Sequence, residues 1–229
     1  YGWDLAIEND SIFICGGVTD TYSADTLVAK LNLNGDTQWL KVNDLGYYEY
    51  LVRIISLNNS DALYTFGLIW SDKLNLVELS LSKEKGIINR YMITPLPNIT
   101  EIHAFDYSHQ KIIITGFLND GPLGGTDAVV IVKDSWMNRT IYSYYGGSYN
   151  DWGNDGVPYD TGFYLLTTTR SFGIGGLDIA LYNISDIKTL NSKPPIIVFG
   201  SVGSEDGFDI AISETGKVFI VGAYYLSLI

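Results

Sequence analysis

An internal repeat of about 51 residues runs through the chain and limits its fold more than any other feature. The segments GWDLAIENDSIFICGG (2–17) and GFDIAISETGKVFIVG (207–222) share a Gly-x-Asp-x-Ala-Ile motif, a short turn and an apolar run that ends in glycine. Equivalent apolar runs recur at intervals of 51, 49, 51 and 55 residues. They end on Gly16, Gly67, Gly116, Thr167 and Gly222. A repeat of this length indicates a fold built by stacking one small structural unit.

Each repeat shows the pattern of four short strands. The apolar runs are rich in Ile, Val, Phe and Tyr, as is typical of strands buried on both faces. A second signature supplies a further strand in SADTLVAKL, GTDAVVIVK and GLDIALYNI, and is degenerate in SDKLNLVEL. The pair Asn34-Gly35 predicts a hairpin turn. Four antiparallel strands in about 40–50 residues are typical of one propeller blade.

The predicted fold class is therefore all-β, a β-propeller of four-stranded antiparallel blades. Four blades plus a half blade are expected, because four repeat units are complete and the fifth is half made. Repetition is required because a single sheet cannot cover its own apolar faces. A β-sandwich or a solenoid is the structural alternative. Since the fifth unit is half made, we expect a longer parent chain and self-association through the strand edge at 218–229. The predicted blades span residues 1–47, 48–98, 99–145, 146–199 and, in part, 200–229.

The order of these motifs resembles a known repeat family. It is similar to the SBBP-type β-propeller repeats of exported bacterial and archaeal proteins. The order is Gly-x-Asp-x-Ala-Ile, a turn, Phe-Ile-x-Gly, a loop, Gly-x-Asp-x-x-Leu, a turn and Trp. YYGGSYNDWGND and VFGSVGSEDGFD resemble that family's linker into each new blade. The resemblance covers nearly all of the chain and is weakest in the second unit. It implies an extracellular or cell-surface propeller and implies no particular activity.

The charge of the chain excludes several classes of partner. A net charge of -12 argues against nucleic acid, whose phosphates require a basic surface, and against anionic membranes. No apolar run reaches the roughly 18 residues needed to span a bilayer as a helix. The single cysteine, Cys15, lies in the apolar run IFIC and is predicted to be a buried, inert thiol.

The sequence contains five Asn-X-Ser/Thr sequons. Chance would place about two in a chain of this composition. The excess predicts N-glycosylation and supports an extracellular location. The candidate glycosylation sites are Asn9, Asn58, Asn98, Asn138 and Asn183.

No residue set predicts catalysis, and no cofactor is expected. Asp25, Asp127 and Asp178 occur once per repeat, so they are predicted to cap turns by accepting backbone N–H bonds. The same role is predicted for Asp4 and Asp209.

The two histidines, His103 and His109, have no zinc-motif spacing. Nucleophile-elbow, P-loop, dinucleotide-binding and CxxC motifs are absent from the sequence.

One acidic stretch, YNDWGNDGVPYDTG, is a candidate calcium site. Asp151, Asp155 and Asp160, with Asn150 and Asn154, place five oxygen-bearing side chains within eleven residues. Hard cations such as calcium require this density of oxygen ligands. The spacing departs from an EF-hand loop, and Asx-turns in a linker between blades explain the same residues.

The loops that join second to third strands are predicted to form a ligand-binding face. The predicted function is a secreted or cell-surface propeller that contacts protein or carbohydrate as part of an envelope, filament or adhesin. The alternative is a propeller-fold glycoside hydrolase or lyase that uses carboxylates near the axis. The candidate contact residues in these loops are Tyr22, Trp70, Asp120, Arg170 and Phe172.

Overall fold

The computed structural model describes residues 2–19, 23–57, 60–96, 98–108, 110–137, 139–186 and 194–225. Within these ranges all regular structure is β-strand. The described residues contain no helix long and apolar enough to cross a membrane. The prediction of an all-β fold is confirmed.

The chain divides into two compact units, Tyr1–Pro97 and Asn98–Ile229. The first unit holds two antiparallel groups of four strands, here sheet 1 and sheet 2, joined by one parallel bridge between Ala24 and Tyr48. Sheet 1 consists of β1 (Gly2–Glu8), β2 (Ser11–Thr19), β3 (Ala24–Asn32) and β4 (Thr37–Asn43). Sheet 2 consists of β5 (Tyr48–Ser56), β6 (Ala62–Trp70), β7 (Leu74–Ser82) and β8 (Ile88–Pro95).

The second unit repeats this arrangement twice and adds a hairpin. Its strands pair antiparallel in chain order, as in the first unit, and the arrangement is consistent with propeller blades. Sheet 3 consists of β9 (Glu101–Ser108), β10 (Lys111–Leu118), β11 (Asp127–Asp134) and β12 (Thr140–Tyr145). Sheet 4 consists of β13 (Asp151–Tyr159), β14 (Gly162–Thr169), β15 (Asp178–Ile184) and β16 (Ile197–Phe199). The hairpin consists of β17 (Ser204–Ile212) and β18 (Val218–Tyr225).

The cores lie between neighbouring sheets of each unit, because the second and third strands are apolar on both faces. In the first unit, Phe13 and Cys15 of sheet 1 pack with Ile54 and Leu63 of sheet 2. Cys15 is fully buried, so the prediction of a buried cysteine is confirmed, and burial raises the pKa of its thiol, which lowers the fraction of reactive thiolate.

The repeated glycine of the second strand marks a close approach of two backbones. A Cβ atom on Gly67 would stand 2.1 Å from the carbonyl oxygen of Tyr50, and one on Gly116 would stand 2.1 Å from that of Glu101. No side chain fits at this distance, which explains the glycine at the end of these two runs.

Candidate functional site

The first strand of each sheet and of the hairpin carries a register shift at the same repeat position. A bulge of this kind bends the strand and changes the direction of its side chains. The residue that directly follows the bulge therefore has an equivalent position in every repeat. These residues are Asp4, Arg53, Ala104, Asp155 and Asp209.

In the first unit this position links sheet 1 to sheet 2. The Asp4 Oδ2 atom accepts a hydrogen bond of 2.9 Å from the backbone N–H of Ile54 and lies 3.7 Å from the Arg53 Nε atom. The prediction that Asp4 caps a turn is wrong, because the residue lies inside β1 and bridges to the neighbouring sheet. The same aspartate thus supplies a backbone bridge and an ion pair.

In the second unit the same position brings two acids together. The Asp155 Oδ2 atom accepts a hydrogen bond of 3.1 Å from the backbone N–H of Ile210. Asp209 stands where Arg53 stands in the first unit, and its carboxyl group is hydrogen-bonded to that of Asp155. Burial, followed by this contact, raises the pKa of Asp155 to about 7. The turn-capping prediction is therefore wrong for Asp209 as well.

A groove of about 380 Å³ is lined by the residues that directly precede these two acids in the chain, Asn154 and Phe208, while the two acids themselves are not among its lining residues. Phe208 presents a half-exposed ring to it, and the His103 ring is held edge-on to Phe117 with centroids 5.3 Å apart. The groove is lined by Ile102, His103, Asn154, Asp206, Gly207 and Phe208.

The polar side chains of the groove are held in place by Thr168. The Thr168 hydroxyl donates to Asp206 Oδ1 and accepts a 2.6 Å hydrogen bond from Asn154 Nδ2. The backbone N–H of Gly207 also contacts the hydroxyl oxygen, at 3.2 Å. Asn154 and Asp206 therefore present a fixed amide and a fixed carboxylate, as a preformed binding site requires.

Sequence reasoning missed this groove although the repeat contains a signal for it. His103, Asn154 and Phe208 are the variable middle residues of the Gly-x-Asp position, immediately before the bulge residue. The residue at this position differs in every repeat, which marks a place where side chains can change without disturbing the sheet.

The structure distributes the predicted loop contacts over both units. Trp70 is exposed at the end of β6, and Asp120 and Arg170 are exposed after β10 and β14. Phe172 instead packs against the core of the second unit, so its ring is less available for a ligand. Tyr22 lies outside the described residues.

The three acids of the predicted calcium site are spread along β13 and the turn that follows it. Asp151 begins β13 and is buried, with its Oδ2 accepting hydrogen bonds from Gly147 N at 2.9 Å and Ser171 Oγ at 2.6 Å. Asp160 follows the strand in an exposed turn, and Asp155 pairs with Asp209 as described above. Since a strand rises about 3.3 Å per residue, Asp151 and Asp155 are roughly 13 Å apart along it. The structure does not gather the three carboxylates at one point, and calcium binding there stays a prediction.

The capping role predicted for the repeated aspartates is confirmed for Asp127 and Asp178. Each begins the third strand of its sheet and is buried. Asp127 Oδ2 accepts a 2.7 Å hydrogen bond from Leu123 N, and Asp178 accepts one from Ile174. Burial raises the pKa of both carboxyl groups.

In sheet 2, Asn75 occupies the position that Asp127 has in sheet 3 and Asp178 has in sheet 4. The sequence around Asn75 is degenerate, so the motif alone does not identify it. Asn75 pairs with Ile69, two residues after the repeat glycine, as Asp127 pairs with Leu118 in sheet 3. In sheet 1 the equivalent residue is Asp25. Its carboxylate and those of Asp44 and Glu49 offer ligand atoms within 4.8 Å of one another, close enough to hold one metal ion.

The described sequon asparagines are exposed. Asn9 lies in the β1–β2 turn, Asn98 precedes β9, and Asn183 points to solvent from β15. Asn58 and Asn138 lie outside the described residues, as does His109. Exposure is a requirement for a glycan, so glycosylation stays a prediction for all five sequons.

No protein-family model and no curated protein sequence matches the chain. Solved structures match it in fold. An apocarotenoid oxygenase of Synechocystis aligns with 94% of this chain and 52% of its own, at a TM-score of 0.53 and 8% identity. The chain has a β-propeller fold.

Two further structures are similar at lower scores. A DUF4623 family protein of Bacteroides eggerthii covers 98% of this chain and 57% of its own, with a TM-score of 0.46 and 12% identity. A subtype N11 neuraminidase-like protein of a flat-faced bat H18N11 isolate covers 84% of this chain and 60% of its own, with a TM-score of 0.45 and 13% identity. The chain thus spans between 52% and 60% of the length of these proteins. At such low identity the likeness concerns the fold alone.

Proposed function

We propose that this protein is a secreted or cell-surface β-propeller module that binds a carbohydrate in the groove of its second unit. The observation that carries the proposal is the groove itself. It combines the exposed Phe208 ring with the amide of Asn154 and the carboxylate of Asp206.

These groups match the chemistry of a sugar. A sugar ring has an apolar C–H face that can lie against an aromatic ring, and hydroxyl groups that both donate and accept hydrogen bonds. None of the described residues that line the groove is a lysine or an arginine. It therefore favours a neutral glycan over an acidic one. A protein partner, contacted through the exposed loops at Trp70, Asp120 and Arg170, remains compatible with the same module.

The architecture we propose is four blades plus a half blade of the SBBP-type repeat. Sheets 1–4 would be the four blades, and the β17–β18 hairpin would be the half blade. The shared bulge and the aspartate bridge at Asp4 and Asp155 support one repeat unit throughout. A place outside the cell is supported by the number of sequons.

The binding proposal is tested on an array of neutral and acidic glycans. We expect the 229-residue chain to bind neutral glycans and Phe208→Ala to weaken that binding about tenfold or more, which corresponds to roughly 1.4 kcal/mol. Phe199→Ala is the matched control, since Phe199 is also half-exposed but lies outside the groove. Binding that both variants retain equally, or no glycan binding at all, would contradict the proposal.

The extracellular location is tested separately by mass spectrometry of peptides from the natural source. We expect added glycan mass on peptides that contain Asn9, Asn98 or Asn183, the exposed sequon residues. If all five sequon asparagines are unmodified, the main support for this location is lost.

A glycoside hydrolase or lyase is the second candidate, and one observation favours it. Burial, and then the contact with the Asp209 carboxyl group, raise the pKa of Asp155 to about 7, and Asp155 directly follows the groove residue Asn154 in β13. A carboxyl group that stays protonated near neutral pH can act as a general acid, with a second carboxylate as its partner. Turnover of a bound glycan that Asp155→Asn abolishes without loss of binding would support this candidate. Binding without turnover would exclude it for that glycan.

A further inference from the structure

Three pairs of acidic residues, here the acid pairs, recur along the chain. In each pair one acid begins the third strand of a sheet, and the other lies in the next first strand, four residues before the position that directly follows the bulge. Sheet 2 carries Asn75 at the first of these positions, and Thr100 stands at the second. The two acids are thus present together or absent together, which indicates that they act as a pair. The acid pairs are Asp25 with Glu49, Asp127 with Asp151, and Asp178 with Glu205.

The backbone holds the two acids of each pair side by side. In the second unit, the N–H groups of Asp151 and Glu205 each donate to the carbonyl of the residue that precedes the partner acid, at 2.6 and 2.8 Å. In the first unit, the parallel bridge joins the two residues that directly precede Asp25 and Glu49. Asp44 adds a third carboxylate there, and the three offer oxygen atoms within 4.8 Å of one another.

The acid pairs are largely buried and have no positively charged partner. Glu49, Asp127 and Asp151 are fully buried, and Asp178 is 2% exposed. Within the part of the chain that the structure describes, no lysine or arginine forms an ion pair with any acid of the three pairs. Adjacent negative charges in a buried place are unfavourable unless a cation or a proton neutralises them.

Two of these acids keep one buried oxygen atom without a hydrogen bond. Asp127 accepts the N–H of Leu123 through Oδ2, whereas its Oδ1 atom has no partner among the described residues. The Oδ1 atom of Asp178 is buried and unpartnered in the same way. Burial, and further the neighbouring charge of Asp151, raise the pKa of Asp127. An unpartnered buried oxygen beside a second carboxylate is a ligand atom for a cation.

We propose that each acid pair holds one Ca²⁺ ion. The acid pairs offer carboxylate oxygens, which are the ligands that hard divalent cations bind. Ca²⁺ accepts irregular arrangements of such oxygens, whereas Mg²⁺ requires near-ideal octahedral geometry. Each ion would neutralise two acids that come from successive sheets, or from sheet 4 and the hairpin, and would stabilise the contact between them. The proposal does not depend on glycan binding.

The test counts the Ca²⁺ ions that the metal-free 229-residue chain binds in equilibrium dialysis at millimolar free Ca²⁺. We expect one ion for each acid pair in the wild type and one ion fewer in Asp127→Asn. The asparagine oxygen can still accept the N–H of Leu123, and Asn75 occupies this position naturally in sheet 2. The variant therefore loses a charge and keeps the hydrogen bond of the loop.

Asp160→Asn is the matched control, because Asp160 is exposed in a turn and belongs to no acid pair. It should bind as many ions as the wild type. The control also separates the proposal from the acidic stretch that contains Asp151, Asp155 and Asp160, since Asp127 lies outside that stretch.

Thermal unfolding gives a second measurement, because an ion that binds only the folded protein raises the Tm. We expect Ca²⁺ to raise the Tm of the wild type and of Asp160→Asn, and to raise that of Asp127→Asn less. Mg²⁺ at the same concentration should have a smaller effect on the wild type. Asp25→Asn tests the acid pair of the first unit in the same way and serves if circular dichroism shows that Asp127→Asn is not folded.

Four results would overturn the proposal. The wild-type chain could bind no Ca²⁺, which would mean that protons neutralise the acid pairs. Asp127→Asn and Asp25→Asn could each bind as many ions as the wild type. Asp160→Asn could lose an ion that Asp127→Asn retains, which would assign calcium to the acidic stretch. Mg²⁺ could bind more tightly than Ca²⁺, which would exclude calcium as the preferred ion.

Discussion

The same position of the repeat has opposite electrostatics in the two units. In the first unit Asp4 meets Arg53, and in the second unit Asp155 meets Asp209. In both units the carboxylate accepts a hydrogen bond from a backbone N–H of the neighbouring sheet. The comparison shows that the bulge places an aspartate where it can accept a hydrogen bond from the next sheet. One side chain on that next sheet, Arg53 or Asp209, then determines whether the aspartate also forms an ion pair or a carboxyl pair.

The largest effect is expected where the backbone that supports the Asp4–Arg53 bridge is disturbed. Gly67→Ala places a Cβ atom 2.1 Å from the Tyr50 carbonyl oxygen, next to the bulge that positions Arg53. We expect a loss of about 3 kcal/mol or more in the free energy of unfolding, measured by urea denaturation. Thr167→Ala is the matched change in the second unit, because this repeat position already has a side chain there. It should cost about 1 kcal/mol for its lost hydrogen bond to Ala180. Equal losses would contradict the steric explanation.

The second prediction concerns pH and separates the carboxyl pair from the ion pair. The folded protein raises the pKa of Asp155 to about 7, above the ordinary value of about 4. Between these values the native state holds a proton that the unfolded chain releases, so the free energy of unfolding falls as the pH rises. We expect the free energy of unfolding to fall by an amount on the order of 2 kcal/mol between about pH 5 and pH 8. Thermal unfolding at several pH values measures this change.

Asp155→Asn provides the control for this pH dependence. The asparagine carbonyl can still accept the hydrogen bond from Ile210 N–H, but it has no proton to lose. The fall with pH should therefore become smaller in this variant. An unchanged slope would show that another group causes it.

The smallest effect is expected from exchanging the partners of the two aspartates. Asp209→Arg gives Asp155 the kind of neighbour that Asp4 has, and Arg53→Asp gives Asp4 an acidic one. Near pH 8 we expect the first to stabilise and the second to destabilise the protein by about 1 kcal/mol each, since the Asp4–Arg53 pair is partly exposed and 3.7 Å apart. Both effects should shrink at high salt, because screening weakens exposed charge pairs. If both exchanges change stability in the same direction, local electrostatics is not the cause.

Local sequence patterns predicted much of the fold. The repeat, the apolar runs and the turn residues indicated strands and their antiparallel pairing, because these features act between neighbours along the chain. They also indicated that the repeated acids are structural, which is confirmed for Asp127 and Asp178. They did not indicate that Asn75 takes the same place in sheet 2, because equivalence there rests on strand register and not on residue identity.

The candidate site required the tertiary structure. His103, Asn154 and Phe208 come from three different strands, so their shared groove depends on how sheets 3 and 4 and the hairpin meet. The contact between Asp155 and Asp209 is likewise absent from any local pattern. A dense acidic stretch suggested calcium at Asp151, Asp155 and Asp160, but an extended strand separates residues that are close in sequence.

The amino-acid sequence by itself determined that this protein is a repeat of short strands, since hydrophobic period, turn glycines and motif spacing are properties of neighbouring residues. Only the tertiary structure decided which copies of the motif contact each other and whether the side chains in contact carry opposite or like charges. Sheet packing joins residues about fifty positions apart, such as Asp4 with Ile54 and Asp155 with Ile210. Burial and electrostatics at these positions depend on distances between sheets, and no pattern within one repeat contains those distances.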